Sequence, residues 1–263
     1  MLNAFLRALF KALLSLRYRI RIEGLDQLAK MDDRGMLFLP NHPALIDPFI
    51  LLCFTTARFP VRALAGRGQI DKPGIRWLAS RIQVRKIPDA HERSGEVKHQ
   101  IASMLRNTAR ALNSGEALVL YPAGRIYRRN REDLGNNGAV AFLVENCPNI
   151  RVVLVRTTGL WGSSFSRASG PSPSIAAAVK RGLFGLLKSA LLFAPRRHIR
   201  IEFSECTDFP RGANRDNVNR YLERHYNAIP MHRTYVPYSI WEQGGTRTLP
   251  EPDGDGDAEP PLG

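Results

Sequence analysis

Met36 to Phe54 reads MLFLPNHPALIDPFILLCF, and this stretch decides the fold. Met36-Leu37-Phe38-Leu39 is apolar without alternation and stops at Pro40, the pattern of a strand buried on both faces. Pro48 to Phe54 opens with a first-turn proline and stays apolar, which starts a helix. A buried strand, a short turn and a helix form the unit from which helix-covered parallel sheets are built. Within the turn, Pro43 stiffens the chain after His42. Asp47 stands where a helix N-cap is expected.

Outward from this unit the pattern repeats. Ala117 to Tyr121 (ALVLY) and Val152 to Val155 are buried-strand runs, and Ile199 to Phe203 alternates as a further strand. Ile82-Gln83-Val84 is a short strand candidate. His91 to Leu112 carries apolar residues at Val97, Ile101, Leu105, Ala109 and Leu112, a helical period. Gly138 to Val144 and Asp216 to Tyr226 also read as helices, the second with Asp216 as its cap. The expectation is one α/β domain over residues 22–243, with a mixed, largely parallel sheet flanked by helices and an N-terminal amphipathic helix.

Composition agrees with a packed domain. Of the 263 residues, 44% are hydrophobic and 24% charged, which excludes a disordered chain or a disulfide-stapled miniprotein. Cys53, Cys147 and Cys206 lie far apart in no metal-ligand spacing, so neither a disulfide framework nor a metal is expected. The formal charge is +14. Residues 244–263, rich in Gly, Pro and Asp, net −4 and read as a disordered acidic tail, which leaves +18 on the rest. Such a surplus selects an anionic partner. Aromatic residues do not interleave with the arginines as a nucleic-acid stacking platform would, so nucleic acid is excluded.

The first 21 residues point instead to a lipid surface. MLNAFLRALFKALLSL is too short and too charged to span a bilayer. Arg7 and Lys11 share one helical face, with leucines and Phe5 largely on the other, as in a helix lying in a membrane interface. Gly182 to Phe193 (GLFGLLKSALLF) is a second short apolar stretch, buried or interfacial. Met231 to Trp241 is dense in aromatics and either docks on the domain or meets a membrane.

Chemistry concentrates at the turn. His42 and Asp47, five residues apart on a turn entering a helix, can meet, giving an imidazole held by a carboxylate. That is the arrangement a general base needs. No Ser or Cys stands in a nucleophile-elbow context, so the pair would act on a substrate hydroxyl.

Asn41-His42, four residues and Asp47 after an apolar strand resembles the first motif of the glycerolipid acyltransferases. This family includes lysophosphatidate acyltransferases and the lysophospholipid-acylating domain of bacterial acyltransferase/acyl-ACP synthetase. Ala65 to Pro88 is similar to the second block, whose terminal Arg is matched by Arg85. Tyr121-Pro122-Ala123-Gly124-Arg125-Ile126 resembles the third block, and Val152 to Gly159 the fourth. Phe165-Ser166-Arg167 is similar to the synthetase-linked branch. Ala123 stands where the family commonly has Glu, and Leu154 where Pro is common.

The resemblance implies transfer of a fatty acyl group from acyl-CoA or acyl carrier protein to a hydroxyl of a lysophospholipid or glycerol-phosphate acceptor. It implies His42 and Asp47 as catalytic residues, and Asn41, Arg85, Gly124 and Arg125 as substrate-binding ones. Arg125 would grip a phosphate, Gly124 would let the backbone come close, and backbone N–H groups of the turn would stabilise the oxyanion. No cofactor beyond the thioester co-substrate and no metal is implied. The expected place is peripheral, on the cytoplasmic face of the inner membrane. Because of Ala123, the alternative is an inactive lipid-binding protein of the same fold.

Overall fold

A computed structural model describes residues 4–66, 85–87, 95–170, 173–189 and 195–252. Helix α1 (Ala4–Arg17) leads into strand β1 (Tyr18–Glu23), followed by β2 (Met36–Pro40), α2 (Asp47–Thr55), β3 (Arg62–Gly66) and β4 (Arg85–Ile87). Then come α3 (Gly95–Asn113), β5 (Ala117–Val119), α4 (Ala139–Asn146), β6 (Arg151–Thr158) and α5 (Ile175–Lys188). The chain continues through β7 (Arg197–Cys206), α6 (Arg215–Asn227) and a small hairpin of β8 (Thr234–Tyr235) with β9 (Arg247–Thr248).

The seven-stranded sheet has the order β1-β7-β6-β2-β5-β3-β4. Every neighbouring pair is parallel except β6 with β7. The expected α/β domain with a mixed, largely parallel sheet is therefore what the chain forms. Along β2, Met36 and Phe38 face one core with Val119, Val153, Phe203 and the α2 residues Ile50 and Leu51. Leu37 and Leu39 face the other, with Leu118, Leu154, Leu112 of α3, Leu143 of α4 and Leu222 of α6. Alternate side chains of a strand point to opposite faces, so an unbroken apolar run is what a centrally placed strand requires.

Four local expectations change. The basic stretch Arg17–Arg21, grouped with the amphipathic helix, leaves it at Arg17: Tyr18–Glu23 forms the edge strand β1, in parallel register with Arg197–Glu202. Tyr18, Ile20 and Ile22 alternate with Arg19 and Arg21, and that period of two outweighs helix propensity once β7 offers a ladder. The cap of α6 is Asn214, whose Oδ1 accepts the Asn217 N–H at 2.9 Å; Asp216 lies inside the first turn and pairs with Arg215. The tail beginning at Gly244 joins the domain as far as Pro252: β9 pairs with β8, and Trp161 Nε1–H donates to Glu251 at 2.8 Å. Residues 253–263 and the Ile82–Val84 strand candidate lie outside the described residues.

The fourth concerns α1. Leu6, Phe10 and Leu14 pack on the core, while Phe5, Leu9 and Leu13 are exposed. Arg7 donates to the Thr56 carbonyl, and Lys11 sits over the Phe54 ring at 4.5 Å. The basic stripe thus faces α2, and the face turned to solvent is apolar.

Candidate active site

Parallel strands deliver their following loops to one edge of the sheet, where α/β folds place ligands. Three such loops meet here, those after β2, β5 and β6. Leu45 N–H donates to the Phe165 carbonyl at 2.9 Å, and Tyr127 N–H to the His42 carbonyl at 2.8 Å. The first and third sequence blocks are thereby brought into contact across 85 positions of chain.

His42 Nδ1 lies 2.9 Å from Asp47 Oδ2, with both side chains almost fully buried (8% and 2% exposed). An ionised carboxylate only accepts, so Nδ1 carries the proton and Nε2 is left as the basic nitrogen. Among the described residues Nε2 has no hydrogen-bond partner. Asp47 Oδ2 also accepts the Ala44 N–H at 3.3 Å. Asp47 is the first residue of α2 and its carboxylate caps no helical N–H, contrary to the capping role expected of it. The carboxylate turns back to the histidine instead. The His42 ring packs against Tyr121 with centroids 4.3 Å apart and the ring planes tilted by 38°. Burial and the Asp47 charge beside it push the Tyr121 phenol well above its usual range, so it stays neutral.

Asn41, expected to bind substrate, is fully buried and committed to the protein. Its Oδ1 accepts the Thr157 N–H at 2.7 Å, and its Nδ2 donates to the Thr157 carbonyl at 3.0 Å and to the Tyr127 hydroxyl at 2.8 Å. The side chain extends the β2–β6 ladder by one residue. The backbone N–H groups expected to form an oxyanion hole are also taken. Those of His42, Ala44, Leu45 and Asp47 donate to Glu132, Asp47, Phe165 and the Ala44 carbonyl respectively. Gly124 has φ +65°, a left-handed turn after Tyr121 that favours glycine. A Cβ there would meet nothing closer than 3.7 Å, so conformation rather than close approach explains the residue. Arg85 begins β4, next to Leu64 of β3; its side chain lies outside the described residues.

Arg125 is half-exposed and pairs with Asp133 at 3.3 Å. It lines an open cavity of about 160 Å³ with Arg128, Arg129, Arg131 and Glu132. Arg167, from the loop after β6, joins the same field: its guanidinium is pushed below its usual range by burial and by the charges of Arg128 and Arg125. Arginines gathered in this way, with Asp133 also lining the cavity, give a field that favours an anion.

Two participants escaped the sequence reading. Glu132 sits nine residues beyond Ala123 in a charge-rich stretch that reads as solvated surface, yet it is 3% exposed. Its carboxyl is pushed up to about 8, mainly by burial and further by the Asp47 charge. Arg167 was visible only as part of the Phe-Ser-Arg likeness. Among the described residues no cluster of His, Cys, Asp and Glu could hold a metal ion.

An α/β sheet with a His–Asp pair beside an arginine-lined cavity at its carboxyl edge suits an acyl-transferring enzyme. Residues 19–160 match the model of the Acyltransferase family, more than half of the chain, and the protein belongs to that family. It is similar to the lyso-ornithine lipid O-acyltransferase of Rhizobium meliloti (strain 1021), 26% identical over 222 residues covering 80% of this chain and 69% of that one. Its fold is similar to that of the 1-acyl-sn-glycerophosphate (LPA) acyltransferase PlsC from Thermotoga maritima. That likeness has a TM-score of 0.52 at 16% identity, over 83% of this chain and 76% of the other.

Proposed function

We propose that this acyltransferase moves a fatty acyl group from the thioester of acyl-CoA or acyl carrier protein to the free hydroxyl of an anionic lysolipid. The observation that carries this reading is the His42–Asp47 pair, 2.9 Å apart, beside the arginine cavity. His42 Nε2 takes the acceptor hydroxyl proton as the oxygen attacks the thioester carbonyl, and the resulting imidazolium is stabilised by Asp47. Collapse of the tetrahedral intermediate breaks the C–S bond, and the proton passes from His42 to the leaving thiolate. The ester forms without cofactor or metal, because the thioester is already activated. Arg125 and Arg167 hold the acceptor's anionic group, so the hydroxyl is presented to His42 as in an intramolecular reaction.

The acceptor reaches the site from a lipid surface. Besides Phe5, Leu9 and Leu13 of α1, α5 exposes Val179, Leu183, Phe184 and Leu187, and Trp241 is 78% exposed. Tyr238 links α1 to α5. Arg17 stacks on its ring at 4.3 Å, and a Cβ at Gly185 of α5 would lie 2.7 Å from its carbonyl oxygen. Exposed Lys180 and Arg181 flank the apolar residues of α5. A face of this kind lies in an interface with anionic headgroups beside it. No helix among the described residues is long and apolar enough to cross a membrane. The surface this reading assigns is the cytoplasmic leaflet of the inner membrane, facing the compartment of both soluble thioester donors.

The test is acyl transfer by purified protein in mixed micelles. Palmitoyl-CoA and palmitoyl carrier protein are offered against lysophosphatidate, other lysophospholipids, lyso-ornithine lipid and glycerol 3-phosphate. Transfer that falls at least 10³-fold in His42→Ala, with Arg125→Ala raising the KM for the anionic acceptor, supports the reading. Full activity in a folded His42→Ala protein overturns the mechanism. Tight lysolipid binding without transfer from either donor replaces it with a lipid-holding role.

A further inference from the structure

Glu132 is a buried carboxyl group beside the dyad that the transfer step leaves without a task. Its Oε2 accepts the His42 N–H at 2.9 Å. Five residues earlier on the same loop, Tyr127 N–H donates to the His42 carbonyl at 2.8 Å. The β2–β6 backbone ladder ends at Asn41, whose N–H meets the Val155 carbonyl, so the next N–H would otherwise be buried without an acceptor. Glu132 is itself held on both sides: its N–H donates to Asn227 Oδ1 at 2.8 Å, and its carbonyl accepts from Asn227 Nδ2 at 3.0 Å. Among the described residues no cation forms an ion pair with it. A carboxyl group kept in so dry a place, held by the end of α6 and aimed at one backbone N–H, is placed to hold something still.

We propose that Glu132 is the positioning residue of the dyad. Its carboxyl and the Tyr127 N–H grip the two backbone polar groups of His42, while Asp47 grips the imidazole, so all three contacts fix where Nε2 lies. The loop that performs this also carries Arg125 and Arg128 of the anion cavity, which Glu132 itself lines. The segment holding the acceptor's anion therefore also holds the base that takes its proton. The third block, which lacks a carboxylate at Ala123, has one further along that reaches the histidine turn.

This inference rests on the proposed acyl transfer for its kinetic arm, and on a second readout that does not. Glu132→Gln keeps an acceptor for the His42 N–H; Glu132→Ala removes it, and Glu132→Met removes it while keeping the volume. Expected are a kcat loss of about 10- to 100-fold in the Ala and Met variants with KM within about threefold, and near wild-type kcat in Gln, since a small misplacement of a reacting group costs that much. In parallel, amide hydrogen exchange at His42, followed by NMR, is expected to quicken at least tenfold in Ala and Met and to stay protected in Gln. Wild-type kcat in Ala and Met, equal loss in all three variants, or unchanged His42 exchange in Ala and Met overturns the proposal. If the wild-type protein transfers no acyl group to any acceptor, the functional reading fails, and the exchange measurement alone decides the positioning role.

Discussion

Asn41→Ala separates a side chain that binds substrate from one that holds the sheet edge together. Truncation removes the acceptor of the Thr157 N–H, the donor to the Thr157 carbonyl and the donor to the Tyr127 hydroxyl, in a residue with no exposed surface. A buried polar group deprived of its partner costs about 1–3 kcal/mol. Taking the lower value for each gives a destabilisation of about 3 kcal/mol. For a domain of this size 1 kcal/mol moves Tm by about 2–4 °C, so the expected drop is roughly 6–12 °C. Circular dichroism melts of wild-type and variant protein at equal concentration measure it, with acceptor KM determined well below the lowered Tm. The expected outcome is a lower Tm with little change in KM. A Tm within about 2 °C of wild type, together with a tenfold weaker acceptor KM, would refute the reasoning and return Asn41 to the substrate.

Stability should also depend on pH through Glu132. Its folded-state value of about 8 lies above its ordinary 4.5, so the native state holds a proton that the unfolded chain has released. The associated stability is full below about pH 4.5 and is lost as pH rises toward 8, up to about 5 kcal/mol. Urea midpoints of Glu132→Gln are expected to be flatter than wild type between pH 5 and 8, and parallel curves would contradict the burial argument. Asp47→Asn, which can donate to Nδ1 and so reverse the imidazole tautomer, is expected to lower kcat on the order of 10³-fold with little effect on KM. A loss under tenfold in steady-state kinetics would deny Asp47 its role. Leu183→Ser with Phe184→Ser is expected to weaken sedimentation with anionic vesicles at least tenfold, since each buried apolar side chain is worth about 1.5–3 kcal/mol. Unchanged binding would place the lipid surface elsewhere.

Local rules alone set the strand–turn–helix unit at Met36–Phe54 and the largely parallel sheet, and they allowed His42 to meet Asp47. These rules are unbroken apolar runs, a proline at a helix start, and a short turn whose ends can come close. The motif order around Tyr121–Ile126 carried the family likeness in the same local way. Other features depend on which segments meet. Tyr18–Glu23 became a strand because β7 offers it a ladder, and Arg7 and Lys11 turned inward because α2 lies under them. Asn41 is tied to the sheet edge by Thr157, which stands 116 positions away. Asp47 gave up the cap for the imidazole, and Glu132, in a stretch as charged as any surface loop, was drawn inward to an otherwise unmet N–H. Hydrogen-bond satisfaction of buried groups is settled only when distant segments are packed together, and no periodicity or composition encodes which distant partner will be there.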